Sequence, residues 1–474
     1  MRKIEEIASV FESKNYSINN VFCDTLKKFN FKTLCHESDM KKDSGYSVSE
    51  ILILLLMLPL MALGNVHQFL KSTYGKKAKM QKDVIYRLKN NERLPWRRLL
   101  YAVAKKFKKL TNPENKPTDK VTALIVDDTA DTRVGYKMEN ISWVFDHVLR
   151  KTLYGFKILA MVFFDGTSTI PLDFSIHSEK KLTRKKEKKQ YKKNVNPKTN
   201  GGKRRKELKT NKIKQALTMI KRAVKNGFIA DYVLCDSWFT SKEFIQTVRG
   251  IKNGVMHIIA GIRKDNRKYN CDGQLFNAKQ IINSLKGKGA VRRNRKWNTR
   301  YMEKVVYYEG IGNVKLFICR YPGQKEWRVF ITTNTSLSFV EMMKIYGIRW
   351  TIEVMFRELK QYLQLGTCQS QDFDAQIASN TISFMLYIFL SYIKRNSSYE
   401  TMGELFRMSQ QEVCEKNLAE RLWELFEELL AFIIDVISSH GAMDITQLKQ
   451  SEEYRYVKDL FASSFLFNQM DYAG

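Results

Sequence analysis

Four carboxylates in this sequence are spaced so that a fold could bring them to one phosphate. Asp127 and Asp128 close the apolar run VTALIVDD from Val121, and Asp236 closes a second run, DYVLCD from Asp231. Short apolar runs bounded in this way read as buried strands, and each would carry its last carboxylate to a strand end. Glu353 lies in IYGIRWTIEVMFRELK, which begins at Ile345, together with Tyr346, Arg349 and Lys360. On one continuous helix those four residues fall within an arc of about 60°. A phenol, a guanidinium, a carboxylate and an ammonium would then share a stripe. Beside it Ile345, Ile348, Ile352, Phe356, Leu359 and Leu363 form an apolar arc that can anchor the helix. A solvated face with an Arg349–Glu353 pair one turn apart produces the same pattern, so the stripe gains meaning only from the aspartates upstream. Carboxylates are hard oxygen ligands of the kind Mg²⁺ takes. No nitrogen or sulfur site competes: His147, His177 and His257 are isolated, and the seven cysteines contain no CxxC pair. Scattered thiols of odd number point to a reduced, cytoplasmic setting.

The elements that must position these groups follow in order. Residues 1 to about 115 read as short basic helices: one around the run ILILLLMLPLMAL (Ile51–Leu63) that Ser49 could cap, one over Met80–Asn91, and one from Trp96 to Leu110 behind Pro95. The outer face of the last would carry Arg97, Arg98, Lys105, Lys106, Lys108 and Lys109, which fits a helix-turn-helix-like DNA reader. Strands begin at Val121. A hairpin over Phe156–Asp165 and Thr169–His177 turns at Asp165-Gly166, and MHIIAGI (Met256–Ile262) and WRVFITT (Trp327–Thr333) are further buried strands. Lys264–Gly323 interrupts this pattern with short β-like pieces. Ser338 or a neighbour starts the glutamate helix, and another apolar helix covers Ile382–Ile393.

The net charge of +32 directs the chain to a polyanion, nucleic acid before an acidic membrane. Residues 180–214 hold seventeen Lys/Arg against two Glu, about half of that excess. By composition they form a solvated, partly disordered loop. From Ser397 onward the sign reverses, with fourteen Asp/Glu against six Lys/Arg and an amphipathic pattern over Glu412–Ile437. Neither apolar run reaches the roughly 20 residues of a membrane span, so no membrane partner is expected.

The spacing Tyr346-x2-Arg349-x3-Glu353-x6-Lys360, with two strand-end aspartates before it, resembles the Tyr-Arg-Glu-Lys signature of a branch of bacterial insertion-sequence transposases of the Asp-Asp-Glu (DDE) type. The resemblance covers roughly residues 121–395. It implies an α/β fold: an RNase H-like mixed-sheet catalytic core with a β-rich insertion, flanked by helical N- and C-terminal domains. The domains expected are 1–115 (helical, DNA-binding), 116–262 (core, with the basic loop 180–214), 263–325 (insertion), 326–395 (core with the glutamate helix) and 396–474 (acidic, helical). By the same resemblance Asp128, Asp236 and Glu353 are the catalytic residues and metal ligands. The Asp128-Thr129 context selects Asp128 over its neighbour Asp127, which side-chain alternation alone does not exclude. Two Mg²⁺ ions are implied, with Mn²⁺ able to substitute. Tyr346, Arg349 and Lys360 would hold phosphates of the cleaved DNA end, and Trp297 or Trp327 could stack on a displaced base, although Trp327 also reads as a core residue. The implied partner is double-stranded DNA, first the terminal inverted repeats and then the target, bound by a homodimer. The implied activity is cut-and-paste strand cleavage and transfer by a cytoplasmic, nucleoid-associated enzyme, with second-strand release through a hairpin. A structure-directed nuclease, or a silent DNA-binding derivative, would share the fold.

Overall fold

The strand that orders the sheet is β1 (Ala123–Arg133) in the computed structural model, which describes residues 18–42, 44–61, 63–71, 80–113, 120–146 and 149–411. Residues 20–406 form one compact unit among the described residues. The amphipathic stretch Glu412–Ile437 lies outside the described residues, as do His147 and Cys414.

After β1 come β2 (Ser142–Asp146), β3 (Lys151–Phe164) and β4 (Thr169–His177). β3 lies antiparallel along the whole of β1, with Ala123 opposite Phe164 and Arg133 opposite Tyr154. The far side of β3 takes β2 at its first half and β4 at its second. The hairpin turns where the sequence places it: Gly166 has φ +91°, and the Asp165 carboxylate accepts from the Thr167 and Ser168 N–H groups. β5 (Tyr232–Cys235) then adds parallel to β1, and β6 (His257–Ile262) parallel to β5. The order β4-β3-β1-β5-β6, three antiparallel strands followed by two parallel ones, is an RNase H-like core in a mixed α/β chain.

The β-rich stretch beyond it does not form a sheet apart. Its strands β7 (Lys268–Cys271), β8 (Gln274–Asn277), β9 (Arg292–Asn294), β10 (Thr299–Tyr308) and β11 (Gly312–Arg320) are joined to the core by β12 (Arg328–Thr332). β12 pairs antiparallel with both β11 and β6, so one twelve-stranded sheet results.

Helices α1 (Ile18–Lys28), α2 (Phe31–Glu37), α3 (Val48–Met57), α4 (Val66–Lys71), α5 (Lys82–Lys89) and α6 (Trp96–Thr111) precede the sheet. Ser47, not Ser49, caps α3, in a reciprocal box with Glu50. Within the sheet region lie α7 (Arg184–Glu187), α8 (Asn200–Glu207), α9 (Lys212–Lys225), α10 (Lys242–Gly250) and α11 (Ala278–Gly287); after it come α12 (Phe339–Gly347), α13 (Trp350–Gln361) and α14 (Phe373–Arg395). α14 runs well beyond the apolar stretch that marks it in sequence. By length and hydropathy it could cross a membrane, but 89% of its apolar window is buried inside the protein. Phe22, Phe29 and Phe31 meet Phe389 edge-on, with centroids 4.9–6.1 Å away. It is the core helix of the fold.

The basic stretch 180–214 is ordered, contrary to its composition. α8 buries Gly201, Gly202 and Arg204. Arg205 forks onto Glu139 at 2.7–2.8 Å and onto Asp374 at 2.9 Å, and Lys193 reaches Asp374 at 2.8 Å and Asp372 at 3.1 Å. Lys186 donates to the Tyr154 hydroxyl inside a box of Tyr136, Trp143 and Tyr154. The carboxylates that hold this segment come from distant parts of the chain, so a local charge count cannot reveal them.

Candidate active site

The cleft begins where β1 outruns its parallel neighbour. Pairing with β5 involves residues 123–125 only, so one edge of β1 is open from Val126 onward. The aspartate pair is therefore mid-strand rather than at a tip, because β3 supports β1 as far as Arg133. Asp236 follows directly on β5, and its carboxylate accepts from the Trp238 N–H at 2.8 Å, which fixes the turn. Asp127, Asp128, Asp236, Glu353 and Arg349 line one cleft of about 760 Å³.

Successive strand residues point to opposite faces, and here that separates the two aspartates. Asp127 turns toward α13: its Oδ2 is 3.0 Å from Arg349 Nη1, while Arg349 Nη2 lies 2.6 Å from Glu353 Oε1. Thr129, two residues on, accepts from Lys360 Nζ at 2.8 Å on the same side. Asp128 points the other way and pairs with Lys212 Nζ at 2.6 Å. The Asp-Thr context selects Asp128; the face shared with Glu353 belongs to Asp127. Burial pushes the Asp127 carboxyl up to about 7 against the pull of Arg349, and neighbouring Asp236 and Asp128 add to the rise.

The stripe on the glutamate helix is not carried by one continuous helix. α12 ends at Gly347 and α13 starts at Trp350. Between them the N–H groups of Ile348, Arg349, Thr351 and Ile352 bond three residues back, a single 3₁₀ turn. That turn offsets Tyr346 from Glu353 and Lys360. Tyr346 packs edge-on against Phe330 on β12, with its ring 5.7 Å from the Arg349 guanidinium. Lys360 donates to Thr129 and to the Ala130 carbonyl at 2.7 Å, further along β1. The apolar arc is buried at Ile345, Ile352, Phe356, Leu359 and Leu363.

Several residues that sequence reading passes over line the same cleft. Lys212 bridges Asp128 and Glu179 and lies 4.8 Å from the exposed Trp238 ring. Trp238 stands two residues after Asp236, which is the one signal that could have marked it. Trp350, next to Arg349, is also exposed, whereas Trp327 is buried between Lys286 and Arg320, and Trp297 is half-buried. His177 is buried with its Nε2 2.7 Å from Ser175 Oγ. Burial, then Lys212, pull its imidazole from 6.5 down to about 4. The unfolded chain takes up this proton near the ordinary value and the folded chain resists, so stability is complete above that value and falls as pH drops through the interval. The expected loss by the lower end is about 3 kcal/mol. Denaturant midpoints followed from neutral to acid pH should lose this slope in His177→Asn; an unchanged slope would assign acid lability to other groups.

The donor set suits a hard divalent cation, since every candidate ligand is a carboxylate oxygen and Asp127 is a buried carboxylate in need of positive charge. Among the described residues, however, no three His, Cys, Asp or Glu side chains are grouped closely enough to hold an ion. Arg349 supplies the charge between Asp127 and Glu353.

No curated protein matches this chain. Residues 205–389 match the family model of the transposase DDE domain, a span that runs from α8 into α14 and holds Asp236, Arg349 and Glu353 but begins after β1. On this match the chain is similar, over that span, to the DDE transposases, a family of enzymes that act on DNA with divalent metal ions.

Proposed function

We propose that this chain is the transposase of a bacterial insertion sequence, which binds the terminal inverted repeats of its element as a homodimer and carries out cut-and-paste transposition. The observation that supports this best is the Arg349 guanidinium held between Asp127 on β1 and Glu353 on α13, in a cleft shared with Asp236. Asp236, Glu353 and one of the Asp127–Asp128 pair are the catalytic carboxylates and metal ligands. The common face with Glu353 favours Asp127 over Asp128. When bound, a pair of Mg²⁺ ions supplies the Lewis acidity for in-line displacement at phosphorus. The chain's own groups position the DNA. Arg349 offers a planar fork to a phosphate, Lys360 a point charge, and Tyr346 a hydroxyl. Water attacks phosphorus and the bond to the 3′ oxygen breaks; the freed 3′ hydroxyl then attacks a target phosphodiester. Residues 1–115 are assigned to recognition of the element ends, with the bases read by residues other than Lys105, Lys106 and Lys109.

The test is cleavage of a supercoiled plasmid carrying the element ends, by the wild type and by Glu353→Gln, with Mg²⁺ and then with Ca²⁺. End cleavage and joined products are expected only from the wild type with Mg²⁺, and the variant should fall by at least about a thousandfold. End cleavage without joined products would reduce the activity to that of a nuclease. Equal binding with no cutting by either protein would remove the catalytic reading.

A further inference from the structure

On a surface that shares no residue with the carboxylate cleft, α6, α8 and the end of α9 enclose an open groove of about 1170 Å³. The outer face of α6 divides its cations between two roles. Arg97 is drawn into an ion network with Asp173 and Glu207, Arg98 is tied to Asp39, and Lys108 covers the rings of Phe163 and Phe228. Lys105, Lys106 and Lys109 turn into the groove instead, where Lys203 of α8, Lys225 of α9 and Arg93 join them. None of these six has a carboxylate within ion-pair distance among the described residues. Of the four acidic residues in the lining, Asp374 is held by Arg205 and Lys193 and Asp39 by Arg98, while Glu37 and Glu92 leave the six cations in excess.

The walls are also fixed. Arg97 from α6 and Arg222 from α9 converge on the buried Asp173, and Glu207 from α8 pairs with Arg97 at 2.8 Å and Arg204 at 3.3 Å. The six free cations therefore project from elements that are already locked together, so little ordering is needed before a polyanion binds. A run of unpaired lysines on rigid walls fits a repeated phosphate better than a single small anion, and Leu34, Leu94, Pro95, Ala102 and Ile377 lie among them in the lining.

We propose that this groove is a second DNA site, which takes the sugar–phosphate backbone of a duplex segment other than the one in the carboxylate cleft. It reads charge and not sequence, because its free groups are point charges suited to phosphate contact rather than to base edges. The identity of the polyanion rests on the proposed DNA function. The existence of the groove and its charge does not.

The test needs no catalysis. Binding of the full chain to a long duplex of unrelated sequence is measured in EDTA over a series of salt concentrations. Each phosphate contact contributes about 0.9 to the slope of log affinity against log salt. Neutralising one wall with Lys105→Gln, Lys106→Gln and Lys109→Gln together should lower that slope by about 2.7, which is about 500-fold in affinity at roughly 0.1 M salt. A second variant, Lys203→Gln with Lys225→Gln, neutralises the other walls and should lower the slope by about 1.8. A control triple outside the groove, Lys188→Gln, Lys189→Gln and Lys192→Gln, should change it less. An unchanged slope in both groove variants overturns the proposal, as does an equal loss in the control, which would mean diffuse charge. Polyglutamate that protects the groove lysines from chemical labelling while duplex DNA does not would reassign the site to an acidic protein and also overturn it. If the groove fails in this way, end cleavage by the carboxylate cleft is untouched, so the two readings fall separately.

Discussion

Asp127→Asn should abolish end cleavage, by about a thousandfold or more, while Asp128→Asn should retain at least about a tenth of the wild-type rate. The difference follows from strand alternation. Asp127 is on the face that α13 covers and is linked through Arg349 to Glu353. Asp128 faces α9 and is neutralised by Lys212. A carboxylate that binds a catalytic cation must meet the other ligands on one side of the sheet, and only Asp127 shares a charged partner with Glu353. Loss of that ligand removes transition-state charge stabilisation worth several kcal/mol, each 1.4 kcal/mol of which is a factor of about ten. Single-turnover cleavage of element ends by the two variants decides the matter. A dead Asp128→Asn beside an active Asp127→Asn would restore the assignment suggested by the Asp-Thr context.

The largest effect on stability is expected at Asp173, far from the proposed chemistry. Its side chain is fully buried on β4, where it accepts from Arg97 at 2.7 Å and from Arg222, with Arg204 at 4.0 Å. Among the described residues, three guanidiniums are balanced there by Asp173 and Glu207. Asp173→Ala leaves Glu207 alone to balance the buried Arg204 and the half-buried Arg97 and Arg222, and breaking a buried pair in this way typically costs 3–5 kcal/mol. Urea unfolding followed by circular dichroism should show a fall of about 4 kcal/mol. A fall below about 1 kcal/mol would mean that water or a shift of α9 replaces the lost carboxylate. The same substitution loosens the groove walls, so it should be read for stability and not for DNA affinity.

The parts of this fold legible in sequence are those set by short-range pattern. The runs ending at Asp127–Asp128 and at Asp236 are strands, the Asp165-Gly166 turn closes its hairpin, and Ser338 caps the helix that precedes Glu353. These depend on alternation, turn chemistry and capping, all visible within a few residues. What was hidden depends on partners far along the chain. β2 is a five-residue strand with an unremarkable pattern, held on its outer side by a bridge from Trp143 to Lys180. The basic stretch reads as solvent-exposed until Glu139, Asp372 and Asp374 are placed beside it. Arg97 looks like an outward cation because its partners are 76 and 110 residues away in sequence, on other elements. The choice between Asp127 and Asp128 is of the same kind: sequence gives the alternation, and only the packing of α13 says which face is which. The break at Gly347–Arg349 was a local feature missed, as was the Ser47 cap of α3, and Gly347 in the middle of an otherwise helical pattern was the signal of the break.

The hydrogen-bonded path from β6 through β12 to β11 and β10 has a mechanical meaning. An appended module on a flexible tether can swing, and whatever it holds samples many positions relative to the cutting groups. Here the β-rich stretch is part of the same pleated surface that carries Asp127, with β12 on both sides of the junction. To turn it, the ladder between residues 259–262 and 329–332 would have to shear. DNA gripped at the outer strands would therefore sit at a fixed lever arm from the scissile position. The sheet acts as a ruler, and the distance it measures is set by strand count rather than by a hinge.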